Sequence, residues 1–472
     1  MINLHTILLL AILFLSGCSH FIRTEYQRPE LEIPQSWQQK YERLSSFSTQ
    51  KSVIQNRSHI ENWWDKFNDP QLSQLINQVL NNNNDLALAA IRLKLARNAA
   101  GLDNTNITPN FILDGAASNT KMINNGRSPQ ESYSVSLSLN YELDLWGKLA
   151  RIREKSEWEA IASEQDYQAT VFSIINTTAQ LYWTIALLNQ KITNLIASEQ
   201  IAQKSDQQIQ SWFAAGKIGK LDVLESQQNI LNRQNELRNL IKERETSRNA
   251  LALLLNRPAE QHVNELAFLD SQQRIVIVNS TPLSVLAKRP DVQAAESRLR
   301  SSLAGSDAAK LSFYPSLSLQ GALNAGSQLF SQWFSEPTRV IGGTISLPFI
   351  QWNTVQLTIE KSELQVQQAA VSFRSIAYRA LAEVDNAMEA RVTAEEMRSR
   401  LQQSFLLSQQ RLIIAESRYR AGAVDYQTWL NAQEALLSSE NALAQNQYDY
   451  LYATLQLWLA QGGGSTQREG KQ

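Results

Sequence analysis

Cysteine is almost missing from this chain: Cys18 is the only one in 472 residues. That excludes a disulfide within the chain and any metal cluster built on cysteine. Histidine is nearly as scarce. His5 falls in an apolar leader, and His20, His59 and His262 have no second His or Cys at ligand spacing. No glycine-rich phosphate loop, serine elbow or paired-carboxylate motif stands out, so no metal, no cofactor and no catalytic activity are expected. Net charge is lacking too. The 44 Lys and Arg balance 45 Asp and Glu to leave −1, which gives no support to a nucleic-acid partner. Past the leader, no apolar run approaches the ~20 residues of a membrane helix. Any crossing of a bilayer must therefore use strands.

Helix breakers are absent from two long regions. None of the eleven prolines lies between Pro129 and Pro258, and none follows Pro348. From Lys148 to Asn256 the only glycines are Gly216 and Gly219, and from Gln351 to Gln461 the only one is Gly422. Proline costs about 3 kcal/mol inside a helix and glycine about 1. These stretches, rich in Ala, Leu, Gln, Glu and Arg, predict two helical hairpins, about 148–256 and about 354–461, turning at their glycines. A helix from Lys148 to Ala215 would be on the order of 100 Å long at 1.5 Å per residue. Ser, Ala, Gln and Asn recur among the leucines, as in Leu221–Gln228. Small residues allow close helix approach, and a polar side can face water.

The ends carry other signals. Ile7–Leu15 is an apolar run too short to span a bilayer, and Leu15-Ser16-Gly17-Cys18 follows it in the pattern of a lipobox. Residues 1–17 are thus expected to be a signal peptide, with Cys18 lipidated and residues 18–70 an anchored N-terminal segment. The leader departs from the usual pattern in having no Lys or Arg before Ile7. Ser19 after the cysteine, rather than Asp, resembles lipoproteins sorted to the outer membrane. Residues 462–472 are expected to form a flexible tail.

Compared with itself, the chain repeats. Asp85-Leu86 answers to Asp291-Val292, Arg92 to Arg298, Pro109 to Pro315, Gly115 to Gly321, Trp146 to Trp352, Gly216 to Gly422 and Gln227 to Gln433, all at an offset of 206 (109 to 315). One offset shared by such unlike residues implies two copies of a structural unit, about 71–265 and 282–461. The period is too long for a solenoid of short repeats.

Candidate strands precede each hairpin. In residues 133–145, Tyr133, Val135, Leu137, Leu139, Tyr141, Leu143 and Leu145 alternate with Ser134, Ser136, Ser138, Asn140, Glu142 and Asp144. Period two gives one apolar and one polar face, and the length meets the ~9–11 residues of a tilted membrane strand. Its expected partner is 110–118, across a loop with Asn124-Asn125-Gly126. In the second copy 316–323 should pair with 339–349. Four strands cannot close a barrel, and an open edge in lipid leaves backbone groups unpaired. Closure therefore demands an oligomer.

The pieces in order resemble a family: Trp63-Trp64-Asp65-Lys66-Phe67 through Leu72, Asn84-Asp85-Leu86 leading into Arg92, Tyr141–Lys148, Phe313–Leu319, and Arg418–Gly422 with Asp425-Tyr426 and Leu430–Gln433. The chain is similar to the TolC-type outer membrane factors, in their lipoprotein branch serving RND-type efflux systems. The resemblance implies a mainly α chain with a transmembrane β-barrel. Three copies would form a 12-stranded outer-membrane barrel, continued by a long periplasmic α-helical barrel. It implies a homotrimer that conducts drugs or other small toxic compounds passively, with outer-membrane lipid, a periplasmic adaptor protein and an inner-membrane RND-type pump as partners. Gly216, Lys217, Gly422 and Ala423 would form the adaptor-docking tips. Asp425, Arg420, Tyr419 and Asp222 are the candidates for a periplasmic gate. A duct for protein secretion and a non-channel periplasmic coiled-coil lipoprotein are the alternatives. One departure concerns the second strand-to-helix joint. Ile350-Gln351-Trp352-Asn353 replaces a glycine turn, with Asn353 expected to supply left-handed backbone angles.

Overall fold

The computed structural model describes residues 23–33, 36–37, 42, 63–123, 128–259, 263–270, 275 and 281–463. The leader, Cys18, His20, His59, His262, the loop residues Asn124, Asn125 and Gly126, and the tail from residue 464 lie outside the described residues. The main elements are α1 (Pro70–Asn82), α2 (Asn84–Asn104), β1 (Asn110–Thr120), β2 (Gln130–Leu143), α3 (Lys148–Ala214) and α4 (Lys220–Leu254). They continue with α5 (Pro282–Lys288), α6 (Pro290–Leu311), β3 (Ser316–Ser327), β4 (Thr338–Ser346), α7 (Trp352–Arg420) and α8 (Tyr426–Ala460).

Local chemistry sets the element ends. Asp69 caps α1 by accepting from the N–H groups of Gln71 and Leu72, with Pro70 in the first turn where its missing N–H costs nothing. Thr281 and Ser284 form a reciprocal capping box at α5. The strand expected to end at Leu145 ends at Leu143 instead. Asp144 turns its carboxylate onto the start of α3, accepting from Leu149 N at 2.9 Å and Ala150 N at 2.8 Å. A carboxylate at a helix N-terminus meets unpaired N–H groups and the positive end of the dipole, and this outweighs one more strand residue.

The second joint is built differently, and the expectation for Asn353 is corrected. Asn353 lies within α7, and the non-glycine residues with positive φ among those described are Asn68 and Asn256. β4 stops at Ser346 because Pro348 cannot donate to a ladder. A 3-10 turn at Pro348–Ile350 then leads into α7. The first joint uses Gly147 at φ 82°. Gly462 and Gly463, at the start of the expected tail, pack closely on the chain: a Cβ on Gly463 would lie 2.5 Å from the Phe172 ring.

By contacts the chain divides into two compact units. The first unites the N-terminal residues to Leu31 with Ile91–Gln165 and Gln293–Ile376. It holds one antiparallel sheet in the order β1-β2-β3-β4. Asn110 stands opposite Asn140 in the first strand pair and Ser316 opposite Ser346 in the other, each shifted by 206, so the internal repeat is preserved in the strand register. Residues from the N-terminal segment dock within this unit. Thr24 donates to the buried carboxylate of Asp307 from its N–H at 2.9 Å and its hydroxyl at 2.6 Å. Arg300 lies 4.2 Å from the centre of the Tyr26 ring and 4.8 Å from that of Trp158.

The second unit contains 166–292 and 377–472 with the segment from residue 32 to Ala90. Its core packs Trp63, Trp64 and Phe67 with the apolar face of α1, the middle of α3 and the C-terminal part of α8. Trp63 stacks on Trp458 at 6.0 Å, and the Lys66 ammonium sits 4.1 Å from the Trp458 ring centre. α3 does hold one stretch apolar enough by composition to cross a membrane, contrary to the sequence expectation. More than half of that stretch is buried within the chain, and Ile174, Ile175, Tyr182 and Trp183 belong to this core.

Candidate functional site

In the first unit the candidate site is the face of the sheet. Register places Leu113, Leu137 and Leu323 directly opposite one another across β1, β2 and β3. All three are exposed, as are Phe111, Ile341 and Ile345. The odd-numbered residues thus form a broad apolar face turned away from protein. A patch of this kind is rare on a soluble monomer and marks contact with another protein or with lipid. The even-numbered side is more polar on β2, where the Ser136 hydroxyl donates to Asn324 Oδ1 at 2.6 Å, although it also exposes Ile112 and Val340. β1 and β4 are the sheet's two edges, so each carries one unpaired row of backbone groups. Glu142, at the strand end, is held by Lys148 at 2.5 Å.

In the second unit the site comprises the two hairpin turns. α3 ends with Gly216 at φ 71°, whose N–H donates to Phe213 O while Lys217 N–H donates to Trp212 O. α7 ends the same way, with Gly422 at φ 69°, Gly422 N–H to Tyr419 O and Ala423 N–H to Arg418 O. Both closures are Schellman motifs, and a Cβ is strained at their left-handed position.

The gate candidates are placed by the structure as follows. Asp425 is the N-cap of α8: its carboxylate accepts from Thr428 N at 2.8 Å and from the Thr428 hydroxyl at 2.5 Å. Those hydrogen bonds hold its carboxyl below the ordinary carboxylate range. Arg420 is exposed and reaches back one turn to Glu416 at 2.5 Å. Tyr419 is buried in its own chain, stacked on Trp429 at 5.0 Å and packed on Trp212 at 5.3 Å. Burial pushes its phenol up to about 12, with the nearby negative charge of Asp222 adding to the effect. Three of the four candidates therefore have partners in their own chain, and Asp222 acts on Tyr419 through its charge.

Sequence reasoning missed the cluster that Tyr419 belongs to. Tyr426 and Trp429 are buried with Ile209, Val223 and Leu430, and Trp212 packs against them. The helical spacing of 426, 429 and 430 along α8 was a legible signal, but Tyr419 lies across the turn on α7 and Trp212 is more than two hundred residues away, so only folding brings them in. Polar groups are also buried between the helices. Arg233 is 4% exposed and donates to Ser198 Oγ at 2.6 Å; burial lowers its pKa. Asp206 accepts from Gln210 at 2.5 Å and from the Ser226 hydroxyl.

Known proteins share this architecture. Toxin and drug export protein A of Aggregatibacter actinomycetemcomitans is 28% identical over 424 residues, covering 89% of this chain and 92% of that protein. Cation efflux system protein CusC of Escherichia coli is 27% identical over 475 residues, covering 96% and 97%. Among solved structures, the CmeC outer membrane channel of Campylobacter jejuni superposes with a TM-score of 0.81 at 23% identity, over 95% of this chain and 96% of that one. The sequence profile described as Outer membrane efflux protein matches residues 75–257 and 282–463, one match for each internal copy. With both copies matched and the sheet and hairpins in place, the chain belongs to the outer membrane efflux protein family, as an outer-membrane channel protein of the TolC type.

Proposed function

We propose that three copies of this chain form the passive exit duct of a tripartite efflux system. The observation that carries it is the four-stranded sheet with an exposed apolar face and two unpaired edges. In lipid such edges must be paired, and only closure with other copies achieves this without a new strand. Three copies supply twelve strands, within the range of known outer-membrane barrels. A periplasmic adaptor then engages the hairpin turns around Gly216-Lys217 and Gly422-Ala423, and an inner-membrane RND-type pump supplies the energy.

The cargo is drugs or other small toxic compounds, selected by the pump. Support comes from the range of the relatives: toxin and drug export, cation efflux and pyoverdine export are named for proteins of similar length and sequence. A duct with that spread has little need to recognise what it passes. Gating at the tips by Arg420, Asp222, Tyr419 and Asp425 is part of this reading. So is lipidation of Cys18, six residues before the Thr24–Asp307 clasp that ties the segment to its own unit.

The test is single-channel conductance of detergent-purified protein in a planar bilayer, with the mass measured on the same preparation. Trimers giving small pores of low open probability are expected. A water-soluble monomer without conductance would overturn the reading.

A further inference from the structure

The helices leave one end of the sheet and the strand connections lie at the other. β1 follows α2 and β2 leads into α3, while β3 follows α6 and β4 leads into α7. With the helices in the periplasm, the β1–β2 and β3–β4 connections face the cell exterior.

The β3–β4 connection, residues 328–337, carries a cluster of rings. Phe330 and Trp333 pack on Tyr133 with ring centres 5.4 and 5.7 Å away, and Trp333 stacks on Phe334 at 5.6 Å. Leu329, Phe330 and Phe334 nonetheless stay more than half exposed. Tyr133 decides on which side of the sheet this cluster lies. It stands opposite Ala117 on β1 and Ser327 on β3, in the odd-numbered set that forms the apolar face. A connection that rests its rings on Tyr133 is folded outward, over the lipid side of the barrel and away from its mouth.

Charge enters the apolar face only at this same end. Among the odd-numbered strand residues the charged ones are Glu131 and Arg339, each the second residue of its strand counted from the exterior. A charge on the lipid face is costly at the bilayer centre and tolerated near the interface, so both mark the level of the outer headgroups. Glu131 is engaged, accepting the Tyr133 hydroxyl at 3.0 Å. Arg339 is exposed, and among the described residues no carboxylate lies within ion-pair distance of it. Its long stem lets the guanidinium rise to the polar layer while the methylenes stay in lipid.

We propose that this outer rim binds the headgroup of a phosphorylated glycolipid of the outer leaflet, with Arg339 on a phosphate and Phe330 and Phe334 against the sugar and the upper acyl chains. This inference rests on the barrel proposed above. A guanidinium takes a phosphate through two parallel hydrogen bonds. Aromatic rings settle at the membrane–water boundary, and their faces also stack on the C–H faces of sugars. A glycolipid headgroup answers both needs at once, whereas a phospholipid such as phosphatidylglycerol offers the phosphate without a sugar ring.

Native mass spectrometry of the full-length protein in detergent tests this, with diphosphoryl lipid A and phosphatidylglycerol as the probes. Lipid A should bind the parent protein about tenfold more tightly than phosphatidylglycerol. Arg339→Gln should weaken lipid A about fivefold, with Arg339→Lys recovering part of the loss as a point charge. Phe330→Ala combined with Phe334→Ala should weaken lipid A by a similar factor and leave single-channel conductance unchanged. Equal affinity for the two lipids, or unchanged binding by Arg339→Gln, would overturn the headgroup site and leave an unselective aromatic belt. Displacement of lipid A by millimolar inorganic phosphate would overturn the glycolipid assignment in favour of a free anion. A larger conductance in the aromatic double variant would place the connection over the mouth and overturn its outward fold. The mass in the same spectra keeps the two readings apart: a trimer without lipid A preference overturns only this site, and a water-soluble monomer overturns the duct.

Discussion

The two hairpin turns are built on one plan and finished with different chemistry. Gly216 and Gly422 occupy the same left-handed position with the same pair of closing hydrogen bonds. Three residues later the copies part. α4 begins at Gly219 with no side-chain cap, whereas α8 begins at Asp425, capped by its own carboxylate. Next to the turn, Lys220 lies 5.5 Å from the Phe213 ring centre in the first copy, while Tyr426 packs 5.9 Å from Tyr419 at the equivalent positions. Val223 is likewise replaced by Trp429, and both are buried. Backbone closure was retained after duplication while side chains diverged. The reason is physical: the turn needs one left-handed residue whatever surrounds it, but packing can be met by many side-chain sets.

The largest predicted difference lies in that packing. Trp429→Ala should cost about 3–5 kcal/mol, because it empties a fully packed aromatic site. Val223→Ala at the equivalent position should cost about 1–2 kcal/mol, having less apolar surface to lose. Urea unfolding of the two variants would break the comparison if the costs came out equal. The shared feature comes next. Gly216→Val and Gly422→Val should each destabilise by about 1–2 kcal/mol, since both need a left-handed residue; unequal losses in the same assay would show that one turn is held by its surroundings instead.

The caps should give the smallest effect. Asp425→Ala should lower Tm by about 2 °C and Gly219→Asp raise it by less, as expected for a surface cap. The Asp425 carboxyl is held below its ordinary value by Thr428, so its contribution is present above about pH 4 and is lost as pH falls through the lowered folded value. The gap between the parent protein and Asp425→Ala should therefore close in strong acid. A gap that persists unchanged at pH 2 would show that the substitution acts through something other than the charged cap.

Much of this was legible in the residues. The absence of proline and glycine marked the hairpins, because a missing breaker is a direct statement about backbone cost. The offset of 206 located both turns, and strict alternation in 133–143 identified β2. The joints were less legible. Asp144 reads as one more polar strand residue until its carboxylate is seen on the α3 amides. Asn353 reads as a left-handed turn until Pro348 is seen to have ended the strand already. Tyr419 reads only as a gate candidate beside a turn until its stacking on Trp429 and packing on Trp212 are seen.

By itself the sequence determined the duplication, the helical hairpins and the period-two strands, since each follows from local backbone preference or from a fixed spacing along the chain. Only the tertiary structure decided the strand order, the register between β2 and β3, and the partners of the tip residues. Those depend on which distant segments meet, and the number of ways a chain can fold back on itself is not limited by the preferences of any one segment.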